Sequence, residues 1–291
     1  MLIVFNPTAG PQRRRHLTRA LSTLLERGVR AEVALASYRG HAEEIARDAA
    51  RAGVRVVVAA GGDGTIAEVA SGLAGSDTTL GVLPLGTANV LAREVGLPLS
   101  PEHAAMVLAE GRSAVLRPGL ARFADGHTRL FLQMLGAGFD AAVVANLNLP
   151  LKRQIGRGAY VWQTARELSR YAFPEVTAWI DGEPAVATGV VVTKGRLYAG
   201  RYTLAPDALP GEEGFHVVLF RWSGPLAAAL YSAALPLNLL PRLSGVQIRR
   251  ARTVRLEGAS ALVQTDGDPA GALPVEITDA PGPLRMLLKR L

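Results

Sequence analysis

The sequence comprises 291 residues, which is long enough for two domains that each bury a sizeable core. Hydrophobic residues make up 49% of the chain and charged residues 20%, a balance that excludes intrinsic disorder. The chain contains no cysteine, which excludes disulfides, thiolate metal sites and a cysteine nucleophile. Because this composition fits a reducing cytosol, we expect a cytoplasmic globular protein.

The net charge is +7, and only three of the 32 basic residues are lysines. Arginines scattered this evenly most often mark a solvated surface, and peripheral attraction to an anionic membrane surface is the next interpretation. Only 5% of the residues are aromatic and no recognised nucleic-acid module is present, so nucleic acid is not expected as a partner.

Two apolar stretches are candidates for membrane or targeting segments. Residues 1–5 form a run too short for a signal peptide and lack a basic region, so they predict a first strand. The longest apolar stretch, residues 225–241, is interrupted by Pro236 and Asn238, so we do not expect it to span a membrane.

The first 117 residues alternate between strand and helix patterns. This alternation predicts a nucleotide-binding α/β domain over residues 1–117, with a doubly wound parallel sheet and helices on both faces. The predicted strands cover residues 2–6, 30–36, 54–60 and 80–84, and the predicted helices cover 14–27, 41–52, 65–74, 87–95 and 101–110.

After Pro118 the segments become short and β-branched, and Asp-Gly or Glu-Gly pairs separate them. This texture predicts a second domain over residues 118–283, an antiparallel β-sandwich or barrel with helical inserts at about 140–171 and 224–240. The tail, residues 284–291, can pack back on the first domain. The predicted strands cover residues 129–136, 176–180, 186–193, 201–205, 215–221, 246–250, 252–256, 261–265 and 275–277.

The stretch Gly61-Gly62-Asp63-Gly64-Thr65 links a predicted buried strand to a predicted helix. A glycine-rich turn at a helix start lets backbone N–H groups approach a phosphate, and the helix dipole adds partial positive charge. The carboxylate of Asp63 would be repelled by phosphates unless it helps to hold a metal ion or takes a proton. The loop therefore indicates phosphoryl transfer more than passive cofactor binding.

Other nucleotide motifs fit this loop less well. A P-loop needs a lysine after its glycines, and the first lysine of the chain is Lys152. The dinucleotide pattern is formally matched by Gly62, Gly64 and Ala67, but the acidic residue expected about 20 positions further on is missing. A mere tight turn is the remaining interpretation.

Two further loops follow predicted strands, at Asn6-Pro7-Thr8-Ala9-Gly10 and at Pro84-Leu85-Gly86-Thr87-Ala88-Asn89. Thr87 and Asn89 offer neutral donors, although Thr87 could instead be a plain helix N-cap. The carboxyl ends of parallel strands form the edge at which such sheets bind ligands. We therefore expect the three loops to converge on one phosphate-binding crevice.

These motifs resemble the signature of the diacylglycerol kinase catalytic domain, and more narrowly the soluble bacterial lipid kinases related to sphingosine and ceramide kinases. NAD kinases and phosphofructokinases share the Gly-Gly-Asp-Gly loop but not the rest. The resemblance continues in the second half of the chain. It is carried there by Gly136-Ala137-Gly138-Phe139-Asp140, Ala205-Pro206-Asp207-Ala208 and Gln264-x-Asp266-Gly267-Asp268-Pro269.

The resemblance implies a two-domain lipid kinase that uses ATP and Mg²⁺. It gives the proton-acceptor role to Asp268, which closes the late motif, while Asp63 is expected to organise Mg²⁺ and phosphate. Ser37 stands where the family has a threonine that touches the nucleotide. The residues expected to bind nucleotide are Asn6, Ser37, Gly61, Gly62, Asp63, Gly64, Thr65, Ile66, Ala67, Gly86, Thr87 and Asn89.

The sequence departs from the family pattern at three places. Val90 stands where many relatives have an aspartate, and Asp268 replaces the usual glutamate, which makes the base one methylene shorter. Glu213-Gly214 replaces an Asp-Gly that holds a regulatory Mg²⁺ in some relatives, and one residue is inserted before it. Carried across, the ligands of that ion would be Glu213 and the carbonyls of Leu209 and Phe215, although Glu213-Gly214 also fits a plain hairpin turn.

The lipid acceptor requires apolar surface, for which Ala141–Leu151 and Leu226–Leu240 are the candidates. Basic residues between 152 and 170, beside Tyr160 and Trp162, are typical of an interfacial element, although an ordinary amphipathic helix fits them nearly as well.

We expect an ATP-dependent lipid kinase acting on diacylglycerol, with a sphingoid base or ceramide as the alternative acceptor. A soluble metabolite kinase of the NAD-kinase kind and a catalytically weak lipid-binding protein are the alternatives from other classes. A homodimer is left open.

Overall fold

A computed structural model of the chain describes residues 1–7, 11–147, 158–168, 170–258 and 261–289. The chain divides into two compact units. Unit 1 contains Met1–Arg117 and the segment that begins at Pro281, and unit 2 contains Pro118–Ala280. The sequence placed the second boundary at residue 283, within three residues of this division.

Unit 1 is built on a six-stranded sheet. Its strands are β1 (Leu2–Phe5), β2 (Glu32–Leu35), β3 (Val56–Gly61), β4 (Thr79–Pro84), β5 (Arg112–Leu116) and β20 (Leu284–Leu288). They lie in the order β2-β1-β3-β4-β20-β5, and all neighbours are parallel except β20 and β5. The C-terminal strand β20 therefore joins the sheet of the N-terminal segment.

Five helices accompany this sheet in the described part of unit 1. They are α1 (Pro11–Glu26), α2 (His41–Arg51), α3 (Asp63–Leu73), α4 (Val90–Glu94) and α5 (Pro101–Glu110). The four consecutive residues from Val57 to Ala60 of β3 are all fully buried, as expected for a parallel strand with both faces covered. Alternate side chains of β1, Ile3 and Phe5, share one apolar core with Leu17 of α1 and Leu108 of α5.

Unit 2 contains two six-stranded antiparallel sheets and a two-stranded ribbon. The strand orders of the two sheets are β10-β9-β16-β19-β6-β7 and β15-β14-β11-β8-β17-β18. The strands are β6 (Gly119–Phe123), β7 (Thr128–Phe131), β8 (Met134–Gly138), β9 (Val176–Ile180), β10 (Glu183–Ala187), β11 (Gly189–Thr193), β12 (Leu197–Tyr198), β13 (Tyr202–Thr203), β14 (Phe215–Phe220), β15 (Val246–Ala251), β16 (Val254–Glu257), β17 (Leu262–Thr265), β18 (Asp268–Ala272) and β19 (Val275–Asp279).

The described residues of unit 2 form the helices α6 (Phe139–Ala145), α7 (Gly158–Leu168) and α8 (Pro225–Ala234), and short 3-10 turns follow α8 at Leu235–Leu237 and Leu240–Arg242. Side chains of β11 alternate between two cores. Val190 and Val192 belong to the core shared by the two sheets, whereas Val191 packs in a second core with Tyr231 of α8. Because both faces of β11 are covered, its sequence is a continuous apolar run.

The predicted fold class, an α/β domain followed by an antiparallel β-sandwich domain, is confirmed by this architecture. Several predicted elements were wrong in detail. Strands β5, β6, β12, β18 and β20 were not predicted. The predicted strand 129–136 is two strands separated at Leu132–Gln133, and the predicted strand 186–193 covers the end of β10 and all of β11. Helices α3 and α4 begin at residues other than those predicted, and both differences concern the candidate site.

Candidate functional site

The loops that follow β1, β3 and β4 contact one another at the carboxyl edge of the unit 1 sheet. Asn6 after β1 donates a hydrogen bond from its side-chain amide to Thr65 Oγ1, over 3.3 Å. Asp63 after β3 accepts a hydrogen bond from the backbone N–H of Val90 over 2.7 Å. The predicted convergence of the three loops is therefore present within this unit.

In the glycine-rich stretch Gly61 ends β3 and the residues from Asp63 onward are helical, because α3 begins at Asp63 and not at the predicted Thr65. Gly62 is the N-cap of α3 in an extended conformation. A Cβ at Gly61 would lie 2.5 Å from Thr65 Oγ1, so a larger residue cannot replace this glycine without moving the helix. The first N–H groups of a helix have no intrahelical acceptor, and they form a site suited to anions.

Asp63 joins the glycine-rich stretch to the next helix. Its Oδ1 accepts hydrogen bonds from the N–H groups of Val90 (2.7 Å) and Leu91 (3.4 Å), the first two residues of α4. This contact explains why α4 begins at Val90 and not at the predicted Thr87. Burial raises the pKa of the Asp63 carboxyl above its ordinary value, and the backbone hydrogen bonds partly oppose that rise.

The loop after β4 is held by Asn89, which has a left-handed backbone conformation (φ 48°) and is the N-cap of α4. The alternative that Thr87 caps this helix is therefore wrong. Asn89 Oδ1 accepts a hydrogen bond from the N–H of Gly86 (2.8 Å), and its amide donates to the carbonyl of Gly86 (2.9 Å). A Cβ at Gly86 would lie 2.5 Å from Gly62 Cα, so glycine is required for the two loops to approach.

The remaining nucleotide candidates differ in exposure. Thr87 and Ser37 are exposed, Ala67 is half-buried, and Ile66 is buried in the core of unit 1. The N–H of Ser37 donates to His41 Nδ1 (3.1 Å), so the loop after β2 is tied to the start of α2. Since β2 is the neighbour of β1 in the sheet, Ser37 comes after a strand at the same edge as the three contacting loops.

In unit 2, the late motif forms the hairpin between β17 and β18. Asp266 and Gly267 occupy the turn with φ values of 48° and 84°, as expected for an Asp-Gly type I′ turn. The Asp266 carboxylate accepts hydrogen bonds from three consecutive backbone N–H groups, those of Leu132, Gln133 and Met134, over 2.7–2.9 Å. Asp268 is the first residue of β18 and is exposed.

Asp140 was not among the predicted site residues, although it belongs to the family-like segment Gly136–Asp140. Asp140 is half-buried at the start of α6 and accepts hydrogen bonds from the hydroxyl of Tyr198 and from Gln264 Nε2. Burial raises the pKa of its carboxyl, while both hydrogen bonds lower it. Gln264 also accepts from the N–H of Gly267 (2.7 Å), so Asp140 supports the hairpin that presents Asp268.

Residues predicted to hold a regulatory Mg²⁺ surround the turn that leads into β14. Leu209 is half exposed, Glu213 is exposed, and Phe215 is buried as the first residue of β14. Lys194, whose side chain enters this turn, was not among the predicted site residues. The signal available for it was weak: Lys194 is one of only three lysines in the chain and comes after a run of buried valines.

The predicted interfacial and acceptor segments are partly described. Residues 148–157, which include Lys152 and Arg153, lie outside the described residues. On α7 the side chain of Trp162 is 61% exposed, and on α8 that of Leu226 is 86% exposed. No described helix combines the length and the apolar character that crossing a bilayer requires.

Both units match known protein domains. Residues 1–120 match the diacylglycerol kinase catalytic domain, and residues 133–288 match the YegS C-terminal NAD kinase beta sandwich-like domain. A crystal structure of a diacylglycerol kinase from Bacillus anthracis str. Sterne has the same fold, with a TM-score of 0.77 and 22% identity over 99% of this chain and 96% of that chain.

Curated relatives extend over most of the chain. The protein named "Probable lipid kinase YegS-like" from Xanthomonas euvesicatoria pv. vesicatoria is 33% identical over 291 residues, which cover 94% of this chain and 91% of that protein. The "Diacylglycerol kinase" of Mycobacterium tuberculosis is 27% identical over 275 residues, which cover 93% and 89% of the two chains. The chain therefore belongs to the family of the YegS-like lipid kinases and diacylglycerol kinases.

Proposed function

We propose that this protein transfers the γ-phosphoryl group of ATP to the hydroxyl of a lipid alcohol, with diacylglycerol as the preferred acceptor. The observation that supports the proposal most directly is the contact between the glycine turn before α3 and the loop before α4, through Gly62 and Gly86. Family membership supports the choice of a lipid acceptor, since the relatives carry the names lipid kinase and diacylglycerol kinase.

The glycine edge of unit 1 fits the phosphates of a nucleotide. Gly61, Gly62 and Gly86 keep side chains out of the crevice, and the N–H groups at the start of α3 supply donors. Thr87 and Ser37 are exposed hydroxyls at the same edge of the sheet and would contact the nucleotide. At such sites Mg²⁺ is usually bound by the substrate phosphates and by only one or two protein carboxylates. Asp63 supplies a carboxylate at this edge.

Asp268 is proposed as the proton acceptor. As the hydroxyl oxygen of the acceptor bonds to the γ-phosphorus and the bond to ADP breaks, its carboxylate would take the hydroxyl proton. Its exposure supports this role, because a base must reach a bound substrate. The Asp266-Gly267 turn and the Gln264 side chain fix the position from which Asp268 projects.

A cavity next to α6 supports an acceptor site in unit 2. Its volume is about 360 Å³, which is within the range of small-molecule sites. The buried hydroxyl of Tyr171 has no hydrogen-bond partner among the described residues, and burial raises its pKa to about 12. A neutral donor beside apolar carbon suits a lipid headgroup. The cavity is lined by Ala142, Asn146, Glu167, Arg170, Tyr171, Ala172, Pro174 and Leu262.

The decisive experiment incubates the protein with labelled ATP, Mg²⁺ and a panel of acceptors, and separates the products by chromatography. We expect labelled phosphatidic acid from diacylglycerol. Label in sphingoid-base or ceramide phosphate would select the alternative lipid, and label in NADP would select the metabolite kinase that the name of the second domain suggests. Lipid binding without transfer would identify a catalytically weak binding protein.

The nucleotide site is tested separately with Gly62→Val. A Cβ at this position would lie 3.3 Å from Gly86 Cα, so the branched side chain would push the two loops apart. We expect ATP binding to be lost while the circular dichroism spectrum and thermal unfolding remain close to wild type. Gly282→Val is the matched control, since a Cβ there meets nothing within 4 Å. Unchanged ATP affinity in Gly62→Val would contradict the assignment.

We further propose that the protein reaches its acceptor at an anionic membrane surface. Leu226, Leu230 and Leu237 are 86%, 45% and 67% exposed on and after α8, and the chain carries a net charge of +7. Binding to vesicles should rise with anionic lipid and fall with salt, because charges are screened within about 8 Å at physiological ionic strength.

The double variant Leu226→Glu, Leu230→Glu should bind such vesicles at least about tenfold more weakly, since two apolar contacts are lost and two negative charges added. The double variant Leu25→Glu, Val115→Glu is the matched control, because it adds the same two charges at residues that are 66% and 48% exposed in unit 1. Equal loss in both variants would show that net charge alone, and not α8, determines binding.

A further inference from the structure

A lysine ammonium occupies the turn in which the family resemblance places a divalent cation. Lys194 Nζ donates hydrogen bonds to the carbonyl oxygens of Glu212 (2.9 Å) and Gly214 (2.7 Å) and to Asp279 Oδ1 (2.7 Å). Its side chain is fully buried, with 0% exposure. An ammonium has three N–H donors, and these three oxygens match them.

The surrounding groups complete a small cluster around this cation. Asp279, at the end of β19, also accepts a hydrogen bond from the N–H of Gly214 through its second oxygen (2.8 Å). The Lys194 Nζ lies 4.7 Å from the centroid of the Phe215 ring, within the range of a cation–π contact. One carboxylate, two carbonyls and an aromatic face thus surround a single positive charge.

The predicted Mg²⁺ ligands do not fit a second cation in this turn. The carbonyl of Leu209 already accepts the N–H of Glu212 (3.0 Å), and the Glu213 carboxylate belongs to an exposed residue. The cavity between Lys194, Leu209, Glu213 and Phe215 measures about 10 Å³. That volume is at the lower limit for one water molecule, whereas Mg²⁺ normally keeps several of its waters. A divalent ion would also face the buried ammonium at close range.

We infer that Lys194 is a resident cation, which holds the Glu212–Phe215 turn against Asp279 in place of a divalent ion. The turn is therefore independent of Mg²⁺ and Ca²⁺ in this protein. This role does not depend on the proposed kinase function, because Lys194, the Glu212–Phe215 turn and Asp279 all belong to unit 2 and none is a proposed catalytic or nucleotide-binding residue. The site is thereby distinct from any Mg²⁺ that accompanies ATP.

The first test measures thermal unfolding of the metal-stripped full-length protein without nucleotide. Millimolar MgCl₂ or CaCl₂ should shift the Tm of the wild type no more than NaCl of equal ionic strength. Mn²⁺ binding, followed by electron paramagnetic resonance, should be the same for the wild type and for Glu213→Gln. A rise in Tm with Mg²⁺ that is lost in Glu213→Gln, or a Mn²⁺ site that is lost in the same variant, would overturn the inference.

The second test removes the cation with Lys194→Met, which has similar length and no charge. Removing the buried ammonium leaves the half-buried Asp279 without its cation and two carbonyls without their donor, so the Tm should fall by about 5 °C or more. Lys289→Met is the matched control, because Lys289 is exposed, and its Tm should not change. A wild-type Tm in Lys194→Met would overturn the inference; if that variant does not fold, the wild-type cation titrations decide the question.

Discussion

Each unit contains an Asp-Gly pair that the sequence connects with phosphate or substrate, yet the two aspartates have similar structural roles. Asp63 of unit 1 accepts hydrogen bonds from two backbone N–H groups of α4, and Asp266 of unit 2 accepts from three N–H groups between β7 and β8. Both carboxylates join segments that are distant in sequence. The difference lies in the residues next to each pair on its C-terminal side.

After Asp63 the chain continues directly into α3, so the groups presented at this edge are backbone N–H donors and glycines. After Asp266-Gly267 the chain enters β18, and an exposed carboxylate, that of Asp268, comes first. The first arrangement suits an anionic substrate, and the second suits proton transfer. In each unit the aspartate of the Asp-Gly pair therefore holds distant segments together, while its neighbours would supply the chemistry of the proposed site.

The largest effect should come from Asp268, if the proposed division of labour is correct. General-base catalysis contributes about 10²–10⁴-fold, so Asp268→Asn should lower kcat by that factor. ATP affinity should stay close to wild type, because no nucleotide-binding group changes. Steady-state kinetics with the lipid acceptor and a separate nucleotide-binding titration provide the two measurements.

Two companion variants sharpen this result. Asp268→Glu restores the family's residue and should retain activity, whereas Asp125→Asn changes an exposed aspartate of another unit 2 turn and should leave kcat unchanged. If Asp268→Asn keeps wild-type turnover, the proton acceptor lies elsewhere, and Asp63 becomes the first candidate.

Asp266 should matter for stability. Asp266→Ala removes the acceptor of three backbone N–H groups, and each unsatisfied buried group costs about 1–3 kcal/mol. Allowing for water reaching some of them, we expect unit 2 to lose about 2–4 kcal/mol of unfolding free energy. All three tryptophans, at positions 162, 179 and 222, lie in unit 2, so denaturant unfolding followed by tryptophan fluorescence reports this unit. A loss no larger than that of Asp125→Asn would contradict the structural role.

Asp63 holds the start of α4 and is also proposed to place Mg²⁺ and phosphate, and Asp63→Asn can separate these two roles. The amide oxygen can still accept from Val90 and Leu91, so the helix cap should weaken by no more than about 1 kcal/mol. Turnover should fall about tenfold or more if the charge helps to place Mg²⁺ and phosphate. The Mg²⁺ concentration for half-maximal rate should rise at the same time. Wild-type kinetics in Asp63→Asn would restrict this residue to capping α4.

Much of the fold could be predicted from local patterns. The parallel sheet of unit 1 could be predicted because strand-like and helix-like spacings of apolar residues alternate along the chain. The three loops could be predicted because turn residues come directly after the predicted strands. Predictions failed where distant residues decide the structure. Helix α4 begins at Val90 because Asp63 caps it from 27 positions away, a contact that no spacing rule contains. Strand β18 contains Pro269 and Gly271, which normally weaken a strand prediction. Its pairing with β17 also changes register, between Val263 and Gln264 of β17.

The candidate site shows the same limit. Asp268 and the glycines could be proposed from the sequence because they belong to short motifs that resemble those of the family. Lys194 was missed because its three acceptors come from Glu212, Gly214 and Asp279, up to 85 positions away. Likewise, the importance of Asp140 depends on Tyr198 and Gln264, which only the folded sheet brings to it.

The smallest predicted effect concerns the half-buried Asp140, whose carboxyl supports the Asp268 hairpin through Gln264. Burial raises its folded-state pKa above the ordinary value of 3.8, so the folded protein holds this proton more tightly than the unfolded chain. Its contribution to stability is therefore fully present below pH 3.8 and is lost as the pH rises through the folded-state pKa.

Asp140→Asn cannot titrate, and any cost of the altered contact with Gln264 does not depend on pH. The wild-type minus variant difference in unfolding free energy should thus decrease with rising pH, by at most about 1.4 kcal/mol per pH unit for one proton. Urea unfolding followed by tryptophan fluorescence across the mildly acidic range measures this difference, and the other carboxyl groups cancel in it. A difference that is constant with pH would show that the Asp140 proton is held no more tightly in the folded protein than in the unfolded chain.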